Sequence, residues 1–311
     1  MFKNLIVYRI GADWSSTVAD IEASLTKALF VECTATQPMS SGWSSPRGTP
    51  NGALVEAIGG HWLLKLMIEN KVLPSSVVKR RTDELVQHIE HTTGRKPGKK
   101  QTKEIKEQAM LELLPMAFTK QATLNVWIDP AQRLLMIDAS SPGRADEVVT
   151  HLMKVLDGIV IAPLHTAESA AAVMSSWLVS GEPPLAFSVD RECEMKSDDE
   201  MKSVVRYSRH ALDIDEVRQH IANGKVPTKL ALTWQGRVSF LLTDTMQIKK
   251  LAFLDVVFEG KTANKEEAFD ADAAISTGEL RQLIPDLIEA LGGEHVIGQA
   301  ATAVAVAVVA A

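Results

Sequence analysis

The residues with the types and spacing to do chemistry are first of all carboxylates. Asp190, Glu192 and Glu194 alternate along one segment, and Asp129 and Asp138 flank a predicted hairpin. Carboxylates on one face of a strand are what a two-metal nuclease uses to hold its cations. Other features argue against that use. Asp129-Pro130 is ordinary turn composition, and the acidic run Asp198, Asp199, Glu200 reads as a solvated loop. Cys193 lies among acids, which raise rather than lower a thiol pKa, so it is a poor nucleophile. His88 and His91 sit at helical spacing with no HExxH motif or Cys partner nearby, and no metal is assigned. Neither a GxxxxGK[ST] loop nor a GxGxxG turn occurs, so a phosphate-cradling nucleotide fold has no support. No catalytic residue and no cofactor is expected.

The second group is cationic. The chain carries a formal charge of −6, which by itself argues against a polyanionic partner. The charge is unevenly spread. Between Lys79 and Glu107 there are nine Lys and Arg (Lys79, Arg80, Arg81, Arg95, Lys96, Lys99, Lys100, Lys103, Lys106) against five acids (Asp83, Glu84, Glu90, Glu104, Glu107), a local +4 that leaves −10 for the rest.

These cations need elements to hold them. After Leu73-Pro74, Val78, Leu85 and Ile89 form a narrow helical stripe, GRKPGKK interrupts it, and Ile105, Ala109 and Leu113 begin a second helix. The reading is a helical hairpin over 75–116 that buries one seam and leaves its Lys-rich faces to solvent. Before it come a strand at Phe2–Ile10, a helix opened by a Thr17/Asp20 capping box with Val18, Ile21, Leu25 and Leu29 on one face, a Ser/Gly/Pro loop from Ser40 to Gly52 around Trp43, and a strand at His61–Glu69. After it come the hairpin LNVWI/RLLMIDA, a helix with Val148, Val149, Leu152, Val155 and Leu156 on one side, and another with Ala170, Val173, Met174 and Trp177 inward, stopped by Gly181.

Beyond Gly181–Pro184 a second capping box is expected at Asp213/Glu216, with a helix ending at Gly224. LALTWQGRVSFLLT then repeats the earlier hairpin form, with Trp127 and Trp234 ending one strand and Arg133 and Arg237 near the start of the next. A last helix opens near Thr277 and stops at Gly292-Gly293. The fold class is α+β: mixed antiparallel sheets with packed helices and a projecting basic helical hairpin. The division is 1–74 with 117–180 as a central α/β domain, 75–116 as the hairpin domain, 181–298 as a C-terminal α/β domain, and 299–311 as a low-complexity Ala/Val tail.

At 311 residues and 46% hydrophobic the chain can build sizeable cores. Cys33 and Cys193 provide no disulfide framework and no CxxC pair, which fits a reducing compartment. The N-terminus lacks a signal-peptide pattern, and the thirteen-residue Ala/Val tail is shorter than the roughly 20 residues that span a bilayer. The expected location is cytoplasmic, with no membrane partner.

Several segments, in order over roughly residues 2 to 295, resemble the RdgC family of bacterial recombination-associated proteins: FKNLIVYRI at the start, Gly42-Trp43, VLPSSVVK, LLPMAF, MIDASS, GKVPTKLALTWQGRVSFLLTD and TGELRQLIPDLIEALGGE. The resemblance implies a non-catalytic protein that binds double- and single-stranded DNA without sequence preference, limits RecA-dependent recombination, and acts at the nucleoid. It also implies horseshoe-shaped subunits that close into a ring dimer with a positive interior, so an anionic outside coexists with a cationic hole. DNA-binding candidates are Lys79, Arg80, Arg95, Lys96, Lys99, Lys100 and Lys103 in the hairpin, and Lys225, Lys229, Arg237, Lys249 and Lys250 beyond it. Phe118 matches a family phenylalanine implicated in ring opening, and Arg209-His210 falls in the matching region of the apposed gate, with His210 a departure from the polar residue expected there. A metal-dependent nuclease and a protein-interaction scaffold are the alternatives.

Overall fold

The computed structural model describes residues 2–258 and 268–295, so the Ala/Val tail lies outside the described residues. The protein is α+β, with antiparallel sheets and, among the described residues, seven α-helices. No helix among them is long and apolar enough to cross a membrane. Two units divide the chain: Ile10–Ile161, and Met1–Arg9 joined to the chain from Ala162 onward. The first strand is β1 (Ile6–Ile10).

The unit Ile10–Ile161 runs α1 (Val18–Thr26), β2 (Met39–Ser44), β3 (Glu56–Ile58), β4 (His61–Val72), α2 (Ser75–Thr93), α3 (Lys99–Leu113), β5 (Phe118–Asp129), β6 (Leu134–Ile137) and α4 (Pro142–Val155). β4 and β5 pair antiparallel from Trp62↔Ile128 to Val72↔Phe118; β2 and β3 lie on β4, and β6 on β5. Leu64, Leu66 and Ile68 alternate into the core along β4 as Leu124, Val126 and Ile128 do along β5. The helices add Ile21 and Leu25 from α1, and Ala145, Val148 and Leu152 from α4. Each large side chain so buried stabilises the unit by about 1.5–3 kcal/mol, an upper bound because the unfolded chain already buries some of that surface. The α1 capping box forms as expected: Thr17 accepts from the Asp20 N–H, and Asp20 accepts from the Thr17 N–H. Leu29 falls beyond the helix and is exposed.

The expected loop around Trp43 is instead largely strand. Trp43 is 1% exposed; its N–H donates to Ala28 O and its carbonyl accepts from Phe30 N–H, both at 2.9 Å. A Cβ at position 42 would lie 2.5 Å from the Phe30 backbone, so Gly42 allows this close approach. The Ser/Gly content therefore marks tight packing of an edge strand up to Ser44, and turns begin only at Ser45.

In the other unit, β7 (Ile161–Pro163) and α5 (Ala170–Ser180) precede a sheet of order β12-β11-β10-β8-β9, formed by β8 (Phe187–Ser197), β9 (Val204–Ser208), β10 (Lys225–Trp234), β11 (Val238–Thr243) and β12 (Ile248–Phe253). The expected Trp234/Arg237 hairpin is the antiparallel β10–β11 pair. Gly181 ends α5 in the left-handed conformation, φ 73°. The helix α6 (Asp215–Ala222) has no side-chain cap, because Asp213 pairs with Arg218 rather than with the helix start. The helix α7 (Ala268–Ala290) opens well before Thr277, whose hydroxyl donates back to Ala273 O at 2.8 Å from inside the helix. Trp234 Nε1 donates to Asp286 at 2.8 Å, and Arg237 pairs with Glu279, so both hairpin landmarks tie the sheet to α7.

Candidate nucleic-acid interface

The basic hairpin forms where its pattern places it. Pro74 starts α2, accepting from the Val78 N–H at 3.1 Å, and Gly94 ends it at φ 67°. α2 and α3 bury Val78 and Thr82 against Ile105 and Ala109, a narrow seam. Arg81 straps the two helices: its guanidinium donates to Glu112 at 2.8 Å and reaches Glu84 at 3.2 Å, which raises its pKa and holds the Glu112 carboxyl below its usual range.

Because the seam is narrow, the seven hairpin candidates, Lys79, Arg80, Arg95, Lys96, Lys99, Lys100 and Lys103, are all exposed. Arg80 meets Glu84 only at 3.9 Å and Lys103 meets Glu107 only at 4.0 Å, exposed pairs that contribute little and leave the cations available. Lys79, Arg95, Lys96, Lys99 and Lys100 make no ion pair among the described residues. α3 starts at Gly98 with no side-chain cap and no acid in its first turn, which carries Lys99 and Lys100. Two cations therefore sit at the positive end of a helix dipole, an unfavourable placement in the absence of an anion.

The five candidates beyond the hairpin differ. Lys229 pairs with Glu194 at 3.0 Å, Lys250 with Glu192 at 2.5 Å, and Arg237 with Glu279 through two hydrogen bonds. Lys225 donates to the Ser203 hydroxyl at 2.6 Å, and Lys249 is half-buried and makes no ion pair among the described residues. Glu194 also accepts from Arg206 at 2.6 Å; Arg206 first, then Lys229 and Thr228, hold its pKa at about 2 against the cost of burial. Three of the five cations are thus already neutralised.

The carboxylates weighed for metal chemistry have separate partners: Asp190 accepts from Thr233, Glu192 from Lys250, Glu194 from Arg206 and Lys229. Asp129 is buried and accepts from the Gln132 N–H, holding the turn. Among the described residues no three His, Cys, Asp or Glu side chains assemble as a metal site. Burial pushes the Cys193 thiol up to about 12, and Glu194 adds to the shift.

Phe118 is 87% exposed at the first position of β5, opposite exposed Val72. Arg209 and His210 are exposed where the chain leaves β9; Arg209 is at φ 56°, and His210 donates its N–H to Arg191 O at 3.2 Å. Beside them lies a cavity of about 420 Å³ whose lining includes Trp177, Leu178, Phe187, Arg191 and Leu212. Arg191 also lines a second cavity, of about 460 Å³, together with Arg209 and Lys250. Sequence reasoning passed over Arg191, since between Asp190 and Glu192 it reads as one more member of a mixed charged strand.

By its fold and surface the protein is of the α+β class, with an exposed, cation-bearing helical hairpin. The profile described as "Putative exonuclease, RdgC" matches residues 1–294. Curated relatives named "Recombination-associated protein RdgC" include that of Dechloromonas aromatica, 46% identical over 301 residues (95% of this chain, 98% of the relative). Those of Cupriavidus necator (47% over 297 residues, 94% and 99%) and Bordetella pertussis (41% over 296 residues, 94% and 98%) are similar along the same span. The chain belongs to the RdgC family. The relatives are named for recombination and not for a catalytic activity; the word exonuclease stands only in the profile's description.

Proposed function

We propose that this protein binds double- and single-stranded DNA without sequence preference, closing around it as a homodimer and limiting RecA-dependent recombination, in the cytoplasm at the nucleoid. The observation that carries the reading is the hairpin: five exposed cations without carboxylate partners among the described residues, on a chain of net charge −6, two of them at an uncapped helix start. Phosphates supply the missing anion. Lys and Arg contacts to phosphates release counterions and carry no base information, which gives affinity without sequence choice. In this reading residues 75–116 act as a separate module carried by a central domain (1–74 and 117–180), with 181–298 as a third, and the DNA is bound without being turned over.

Two horseshoe-shaped subunits related by a two-fold axis would close a ring through two self-complementary contacts. Phe118 and the Arg209-His210 corner are its gate residues: an aromatic ring presented to solvent and an apolar cavity beside an exposed basic corner are the features expected at contacts that open and close. Lys225 and Lys249 line the DNA path more effectively than Lys229, Arg237 and Lys250, whose charge is shared with carboxylates.

Titration of labelled DNA at several salt concentrations, with and without Mg²⁺, tests the proposal. Intact DNA, equal affinity for unrelated sequences, and a log–log salt slope of about −0.9 per phosphate contacted are expected. Mg²⁺-dependent cleavage would favour a nuclease instead, and absence of binding would overturn the proposal and favour a protein-interaction scaffold.

A further inference from the structure

Away from the hairpin, β2 and α4 bring together a second set of chemically competent groups. Ser41 Oγ on β2 lies 2.8 Å from Nε2 of His151 on α4. Both side chains line one cavity of about 300 Å³, with Met39 and Ile68 as its apolar wall and Gly143, Asp146, Glu147 and Thr150 completing it along α4. Glu147 stands one helical turn before His151 and is steadied by Arg144 at 3.1 Å. A hydroxyl within hydrogen-bond reach of an imidazole, whose charged form is favoured by the field of Glu147, has the first two members of an activated nucleophile in place.

We propose that Ser41, His151 and Glu147 form a separate acyl-transfer site for small uncharged carboxylic esters. Ser41 Oγ bonds to the ester carbonyl carbon as its proton moves to His151 Nε2; the alcohol leaves, taking that proton, and an acyl-serine remains. Water then attacks the acyl carbon, giving a proton to the same nitrogen, and Ser41 Oγ leaves and recovers it. Glu147 stabilises the imidazolium formed in each half. The Thr150 hydroxyl is the donor in the cavity for the carbonyl oxygen as it becomes negative.

The residues also select the substrate. Asp146 and Glu147, the latter sharing its charge with Arg144, are the charged groups that line the cavity, β2 and β4 contributing only Met39, Ser41 and Ile68, so a phosphodiester or a carboxylate would meet the like charge of Asp146. The volume admits a short acyl group. Burial, then Lys154, lowers the His151 pKa, and Glu147 opposes the shift, so the imidazole is neutral and able to accept a proton near pH 7. A plain structural tie between strand and helix would need the hydrogen bond alone, without a cavity opening onto both partners.

The test uses the full chain and a fluorophosphonate probe, with the modified residue located by peptide mass spectrometry and p-nitrophenyl acetate hydrolysis followed in parallel. Ser41 should label about a hundredfold faster in the native protein than in urea-unfolded protein. His151→Gln should slow labelling about a hundredfold, the usual size of a lost general base, and Ser41→Ala should abolish it. Should either variant fail to fold, the native-to-unfolded comparison and the mapped position still decide. Labelling no faster than in the unfolded chain, or falling on another residue, would overturn the proposal. DNA affinity of Ser41→Ala should equal that of the parent, which keeps this outcome independent of the DNA-binding reading.

Discussion

Reversing the charge of three hairpin residues, Lys96→Glu, Lys99→Glu and Lys100→Glu together, bears most directly on where DNA is held. All three are exposed and make no ion pair among the described residues, so the triple variant breaks no salt bridge there, and the seam of Val78, Thr82, Ile105 and Ala109 is untouched. Each neutralised phosphate contributes about 0.9 to the log–log salt slope, so losing three contacts per engaged hairpin should flatten the slope by about 2.7. At about 0.15 M salt, relative to 1 M, the same coefficient gives a loss of about 170-fold in affinity, or about 3 kcal/mol, before repulsion from the new carboxylates is added. Fluorescence anisotropy from 50 to 400 mM salt, on two unrelated duplexes and one single strand, measures both quantities. An unchanged slope would remove the hairpin from the interface, whatever happened to affinity at one salt concentration. A loss confined to one sequence would refute phosphate-only recognition.

Lys229→Ala and Lys250→Ala should each change DNA affinity less than about threefold, because Glu194 and Glu192 already hold those charges; a hairpin-sized loss in the same titration would show that the ion pairs open on binding. Phe118→Ala should impair loading on closed circular DNA more than on short linear duplex, which can thread from an end, and equal losses in a competition assay would argue against a gate. Gly42→Ala should destabilise the protein by about 1–3 kcal/mol, since the added methyl meets the Phe30 backbone; urea denaturation reads this, and an unchanged midpoint would mean that β2 moves freely. The pKa of Glu194 is depressed to about 2, so its stabilisation is present above the ordinary carboxyl value near 4.5 and is lost as pH falls through about 2. Melting temperatures of the parent and Glu194→Gln should therefore differ at pH 7 and converge toward pH 2.

Local patterns carried most of the secondary structure. The Thr17/Asp20 box, Gly94 and Gly181 mark helix ends through backbone groups a few residues apart, and the hairpin follows from a stripe whose period is visible without any partner. Signals failed where a residue's role is set from a distance. Ser40–Trp43 resembles a loop until Gly42 is seen against Phe30; Asp213 resembles a cap until Arg218 takes it; Thr277 resembles a helix start although its hydroxyl is used inside the helix.

The sequence alone determined that this chain is an α+β protein with a positive segment on a negative background, and its motifs in order pointed to the family that the comparisons establish. Only the tertiary structure decided which cations remain available. Lys229, Arg237 and Lys250 are indistinguishable from Lys96 or Lys99 as letters, yet strand and helix packing brings Glu194, Glu279 and Glu192 to the first three and, among the described residues, no carboxylate to the others. A charge is written in one residue, whereas its neutralisation depends on a second residue that can lie 35 to 58 positions away and reaches it only when the chain folds.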